Sequence, residues 1–249
     1  MSDVVQTFTR LVRQLVRKPL RQLTVGKKGG LRRLPFGIGR GLRLAIDPTS
    51  PLDMYLGLYE FEIVKYVKEF CRPGYLCFDV GGFDGYYALV FSRQTGGKVI
   101  VFESDPDSCA RVRRNCDANP PAGSRVEIEN AFVAFETNEA ENCIALDDRL
   151  KAGTLPLPDM IKIDIDRAEL SALTGARQLL ATRRPHLIVE VHSLELERQC
   201  ADLLIELGYS PRIVSERRWL PENRPLEHNR WIIARGREHN SGPVPGGTT

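Results

Sequence analysis

No stretch of 18 apolar residues occurs anywhere in the 249-residue chain, so no spanning helix is expected. The six cysteines (Cys71, Cys77, Cys109, Cys116, Cys143, Cys200) form no C-x-x-C pair and no Cys/His cluster. Free thiols in a reducing compartment are expected, not a disulfide framework or a zinc site. No internal repeat is visible. Arg10, Arg13 and Arg17 interrupt the apolar residues at the N-terminus, which speaks against a signal peptide and for a cytoplasmic protein. Acidic residues are nearly missing from the first 43 positions. Eleven Lys and Arg stand there against Asp3 alone, while the remainder holds 24 basic and 31 acidic residues. A basic arm of +10 therefore precedes a body of −7.

Residues 3–23 have Val4, Val5, Phe8, Leu11, Val12, Leu15 and Val16 at helical spacing, so an amphipathic helix is expected, ending near Pro19. Such a helix can dock on its own domain or on a second subunit. It can also lie on an anionic membrane surface through residues 3–43, or grip a phosphate-rich partner. The expected division is an arm and linker at 1–50, one domain at 51–240 and a disordered Gly/Pro/Thr-rich tail at 241–249.

Beyond the arm, strands and helices alternate. Residues 24–50 read as a linker or a short hairpin (Leu42–Ile46), and a helix is expected at 53–70. Strands follow at Leu76–Val80, Lys98–Glu103, Arg125–Glu129, Met160–Ile165 and Leu187–Val191. Helices between them span Asp84–Gln94, a run from Pro106 capped by Asp105, and Ala168–Ala181. Ser193 caps a last helix that Gly208 ends. Arg212–Val214 and Trp231–Ala234 read as a closing antiparallel pair. The expectation is a doubly wound α/β fold, a mostly parallel seven-stranded sheet with a terminal antiparallel strand.

The candidate site follows from where two strands end. Leu76–Val80 carries Asp79 and runs into Gly81-Gly82-Phe83-Asp84-Gly85, and Val99–Phe102 runs into Glu103. Ligands of open α/β sheets bind at the carboxyl ends of the strands, where an acid about 20 residues past the glycine turn can grip a ribose. A dinucleotide fingerprint would need glycines where Phe83 and Tyr86 stand. There is also no Tyr-x-x-x-Lys pair, so an NAD(P)-dependent oxidoreductase is the weaker alternative. Asp164 and His192 end the strands at 160–165 and 187–191, so both open into the same crevice. His192 is suited to accept a proton near neutral pH or to orient a substrate. Asp164 is suited to a carboxylate role on the cofactor or acceptor side. Lys162 shares a strand face with Asp164 and could pair with it or with Glu190. Asp164, Asp166, Glu169 and His192 could gather a divalent cation, since hard cations take carboxylate oxygens, but their spacing is no recognised metal motif, so no metal is expected.

The pattern Asp79-x-Gly81-x-x-x-Gly85 resembles the first motif of S-adenosylmethionine-dependent methyltransferases. Four further segments extend the likeness: Ala145-Leu146-Asp147-Asp148, Pro158 through Leu170, Thr174-Gly175-Ala176 and Arg184 through His192. Together with Tyr59-Glu60 they are similar to the FkbM family of methyltransferases over roughly residues 55–215. The resemblance implies a class I methyltransferase fold, S-adenosylmethionine as donor, and O-methylation of a hydroxyl on a sugar, glycolipid or natural product. The donor site is then Glu60, Asp79, Gly81, Gly82, Gly85, Glu103, Ser104, Asn130 and Asp164, with Asn130 at the adenine edge. Phe83, Asp166-Arg167 and Ser104 depart from the family's usual Asn, Glu-Gly and Pro. They leave a non-catalytic donor-binding member as a further alternative. A nucleic-acid partner is not expected, because the fourth strand ends Lys-Ile-Asp-Ile-Asp and lacks the Pro-Pro-aromatic sequence that stacks a flipped base.

Overall fold

The computed structural model describes residues 29–46, 52–215 and 230–237. The expected arm helix at 3–23 and the tail at 241–249 lie outside the described residues. Among the described residues no helix is long and apolar enough to cross a membrane. The chain divides into two compact units, Met1–Phe61 and Glu62–Thr249.

In the first unit, β1 (Gly30–Arg33) and β2 (Arg43–Ile46) form an antiparallel hairpin in which Gly30 faces Ile46. The stretch read as a linker or a hairpin at 42–46 is a hairpin, but a wider one, with 43–46 only its second strand. Helix α1 (Leu52–Leu56) stops at Gly57, which takes a φ of 71°. The backbones of Gly37 and Gly57 touch: a Cβ on Gly57 would lie 2.4 Å from the Gly37 nitrogen. Here the single helix expected over 53–70 breaks. The second unit begins its own helix, α2 (Val64–Phe70).

Seven strands order the second unit's sheet: β10 (Arg212–Ser215), β11 (Arg230–Ala234), β9 (His186–Val191), β8 (Met160–Ile163), β3 (Cys77–Val80), β4 (Val99–Phe102) and β5 (Val126–Glu129). β11 runs antiparallel to both β9 and β10, and the other pairings are parallel. The four central strands β4, β3, β8 and β9 are buried at every position. Their near-continuous apolar runs reflect helices on both faces. The edge strands β5 and β10 alternate with charged or exposed residues, which discourages further pairing. The chain lays down β3, β4 and β5 in one direction and β8, β9 and β11 in the other, so the order reverses between β3 and β8. That reversal is where the crevice of a doubly wound sheet opens.

Local chemistry sets the helix ends. Asp105 accepts from the N–H groups of Asp107 and Ser108 to start α4 (Pro106–Asp117), with Pro106 at its first position. α3 (Tyr86–Thr95) begins after Gly85, where Asp84 accepts from the Tyr86 N–H. Ser193 accepts from the Leu196 N–H to start α8 (Leu194–Glu206). The helix expected over 168–181 is two helices, α6 (Glu169–Thr174) and α7 (Arg177–Thr182). The Ala134 carbonyl presses on the break, where a Cβ on Gly175 would come within 2.0 Å of it. The Asp147 carboxylate then caps α7 by accepting from the Gln178 and Leu179 N–H groups. Asp147 lies in α5 (Leu146–Lys151), so this aspartate of the Ala-Leu-Asp-Asp stretch has a structural task. A two-residue parallel pair, β6 (Phe132–Val133) and β7 (Cys143–Ile144), was not anticipated.

Candidate functional site

The crevice is built from the ends of β3, β4, β8 and β9. Asp79 and Lys162 are register partners on β3 and β8, so their side chains leave the sheet on the same side. Both are buried. The Lys162 ammonium bonds Asp164 Oδ2 at 2.8 Å and stands 4.7 Å from the centre of the Tyr87 ring. The ion pair expected for Lys162 is thus made with Asp164. Tyr86 and Tyr87 are buried wall residues.

At the end of β4, Glu103 faces the glycine bend. One carboxylate oxygen accepts from the Phe83 N–H at 2.8 Å and the other from the Asp105 N–H at 2.9 Å. Phe83 takes a φ of 49°, is 60% exposed, and lies under the Arg111 guanidinium at 5.0 Å. Gly81 and Gly85 are left-handed, with φ of 86° and 79°. The space their missing Cβ atoms leave is filled by the protein itself: the Asp164 carbonyl at Gly81, Val101 at Gly82 and Val112 at Gly85. These glycines therefore allow strand ends and helices to close up around the bend.

Asn130 donates its side-chain amide to the carbonyls of Glu103 and Ser104, at 2.8 and 2.9 Å. It braces the loop that carries Glu103, a role the sequence did not suggest. Glu60 belongs to the first unit, where it is fully buried with a φ of 43°.

His192 follows β9 directly and is 7% exposed. Its Nδ1 is bonded to Glu169 Oε1, and Glu169 is itself 0% exposed. Its Nε2 lies 3.1 Å from Asp166 Oδ1 and 3.9 Å from Asp164 Oδ1. Burial pulls the His192 pKa down. The hydrogen bond to Glu169 and the charges of Glu169, Asp164 and Asp166 outweigh it, and the net direction is up. Asp164 and His192, paired at the sequence level as strand-end residues, do face one another. Asp164, Glu190 and His192 also bring one ligand-type atom each within 4.8 Å of one another, although Lys162 holds one oxygen of Asp164.

Glu169 was named from sequence only as a carboxylate that could join a cation cluster. Its spacing with Ala172 and Leu173 held more, since all three are the buried positions of α6, an i, i+3, i+4 face. The cysteines are all free. Burial pushes Cys116 up to about 11 and Cys200 up to about 12, so neither offers a thiolate.

Residues 123–224 match the family model described as the Methyltransferase FkbM domain. The hexuronic acid methyltransferase AglP of Haloferax volcanii is 25% identical over 173 residues, covering 62% of this chain and 71% of that protein. The crystal structure of methyltransferase FkbM from Methylobacillus flagellatus superposes with a TM-score of 0.54 over 88% of this chain, at 14% identity. The chain spans 58% of that protein's length. The tRNA (uracil-54, C5)-methyltransferase of Pyrococcus abyssi, solved with S-adenosyl-L-homocysteine, gives a TM-score of 0.53 at 18% identity, over 85% of this chain and 45% of that one. The likeness to these two structures establishes the α/β fold of a class I methyltransferase.

Proposed function

We propose, from the premise that this chain carries an FkbM-family domain and is a S-adenosylmethionine-dependent methyltransferase, that it methylates a hydroxyl group of a sugar, free or lipid-linked. The similarity to a hexuronic acid methyltransferase along 71% of that protein's length carries the sugar assignment.

The residues present fit the donor. Each oxygen of Glu103 takes one backbone N–H beside the bend. A carboxylate offers about four acceptor directions, so about two remain for the hydroxyls of a ribose. Glu103 would hold that ribose, with Ser104 and Asn130 fixing its loop. Gly81, Gly82 and Gly85 would form the wall beside it, with Asp79 and Asp164 toward the methionine part. When bound, S-adenosylmethionine supplies a methyl group whose S–CH3 bond breaks as O–CH3 forms, leaving a neutral thioether and one proton from the acceptor hydroxyl.

The chain's own task is to hold the acceptor in line and take that proton, and positioning can account for most of the acceleration. A sugar hydroxyl is a weak nucleophile, so a base within hydrogen-bond reach is called for. His192 Nε2, at the crevice ends of β8 and β9, is the group assigned to it. Asp164, fixed by Lys162, orients the acceptor or the donor's charged end.

The test is transfer of isotope-labelled methyl from the donor to separate pools of hexuronic acids, neutral sugars, glycolipid and transfer RNA. Label is expected in a sugar pool, as an alkali-stable ether. Label entering only RNA, or no pool at all, would overturn the assignment.

A further inference from the structure

We propose that Glu169 is a positioning residue for methyl transfer: it grips the His192 ring from behind, through Nδ1, and so turns Nε2 toward the crevice and governs whether that nitrogen carries a proton. The proposal rests on the reading of His192 as the acceptor-side base.

The geometry sets a gradient of exposure across one imidazole. On its inner side stands Glu169, 0% exposed, at the first position of α6. Its Oε1 bonds His192 Nδ1 and also accepts from the Arg167 N–H at 3.3 Å. On the outer side, Nε2 lies 3.1 Å from Asp166, whose side chain is 94% exposed. The ring thus bridges a carboxylate in the core and a carboxylate in solvent.

A hydrogen bond from one ring nitrogen to a carboxylate decides the tautomer, because the proton stays on the bonded nitrogen. Both ring nitrogens have a carboxylate beside them, but the buried Glu169 outweighs the water-screened Asp166, so in the neutral ring the proton stays on Nδ1 and Nε2 is left to accept. The acceptor's proton passes to Nε2 and leaves past Asp166 to water.

Every charged group around the ring bears on that exchange. Glu169 faces it from α6, and Asp164 and Asp166 face it from the segment after β8. Glu190 approaches from its own strand, β9. Lys162 on β8 is turned to Asp164, whose charge it partly offsets. The three carboxylates in contact with the ring hold its proton, in line with the net upward direction for His192. Glu169 is the one among them that water does not screen, so its removal should be felt most.

The deciding experiment compares Glu169→Gln with Glu169→Ala and the unaltered protein, in buffer containing EDTA. The titration midpoint of the His192 ring is followed by NMR without donor or acceptor. In Glu169→Gln it is expected to fall by about one pH unit or more, since one adjacent opposite charge shifts a pKa by about 1–3 units. The acid limb of the kcat/KM profile should move down by the same amount, with donor affinity unchanged by calorimetry. Glu169→Ala, which frees the ring to turn, should lose kcat at every pH. A Glu169→Gln protein that is folded, with both the midpoint and the limb unmoved, would overturn the proposal. A His192→Gln enzyme working at full rate would instead remove the reading of His192 beneath it.

Discussion

Gly81 lies so close to the Asp164 carbonyl that a Cβ on the glycine would come within 1.9 Å of that oxygen. Two strand ends, β3 and β8, therefore meet backbone to backbone at the point where the strand order reverses. Asp164 also donates its N–H to Val80 at 2.9 Å, which fixes the approach from the other side. Gly81→Ala has no flexible neighbour to displace. It also forces an alanine to a φ of 86°, which costs about 1–3 kcal/mol in strain alone. The expected result is a lower denaturation midpoint together with weakened donor binding, because the bend moves with the clash. Unaltered thermal stability in the alanine variant would contradict this account.

Glu103 is expected to matter more for binding than for folding. Its carboxylate holds two backbone N–H groups of exposed loops, those of Phe83 and Asp105. Glu103→Gln keeps an acceptor for one of them and removes the charge offered to a ribose. Hydrogen bonds to charged groups contribute about 1.5–3 kcal/mol, so donor affinity should drop about tenfold or more. Calorimetry with S-adenosylhomocysteine measures it directly. An undiminished affinity in a folded variant would detach Glu103 from the donor.

The parts of this fold that could be read in advance are those whose cause is local. Val99–Phe102 and Leu187–Val191 declare buried strands by composition, and Asp105-Pro106 and Ser193 declare helix starts by their own side chains. The break between α6 and α7 could not be read, because its cause is the Ala134 carbonyl, about forty positions away. The same holds for the glycines of the bend, whose fourth substituent is excluded by Asp164, Val101 and Val112. In the site, Asp164 and His192 were legible as strand ends, but the partner behind the imidazole was not. Leu170 draws attention as the apolar residue, yet the buried face of α6 runs through Glu169, Ala172 and Leu173.

Two arginines held in the same disfavoured conformation should respond to glycine in opposite ways. Arg167 has a φ of 67° and Arg184 a φ of 54°. The left-handed region costs a side-chain-bearing residue about 1–2 kcal/mol, and glycine gives back about 0.4–1 kcal/mol through its looser unfolded chain. The Arg167 side chain makes no hydrogen bond or ion pair with any described residue, so Arg167→Gly should stabilise by about 0.5–1 kcal/mol. Arg184 donates to the carbonyls of Leu207 and Gly208 at 3.1 and 2.5 Å and stacks over Tyr209 at 4.8 Å. Losing those bonds exceeds the relief, so Arg184→Gly should destabilise by about 1 kcal/mol or more. Urea denaturation of both variants checks the pair, and equal shifts would refute the argument.

His192 should make the fold less stable as the solution becomes alkaline. An unperturbed histidine titrates at about 6.5. In the folded chain burial lowers the value, but Glu169, Asp164 and Asp166 raise it further, so the folded protein binds this proton more tightly than the unfolded chain does. The resulting stabilisation is fully present below about pH 6.5 and is lost as pH rises through the higher folded value. Above that value the neutral ring leaves the buried Glu169 carboxylate facing a hydrogen-bond donor without a charge, which is a weaker match. Unfolding free energies at about pH 6 and about pH 9 should therefore differ more for the unaltered protein than for His192→Gln, which has no proton to lose there. If the two stability curves run parallel across that interval, the carboxylates around His192 do not hold its proton in the folded state.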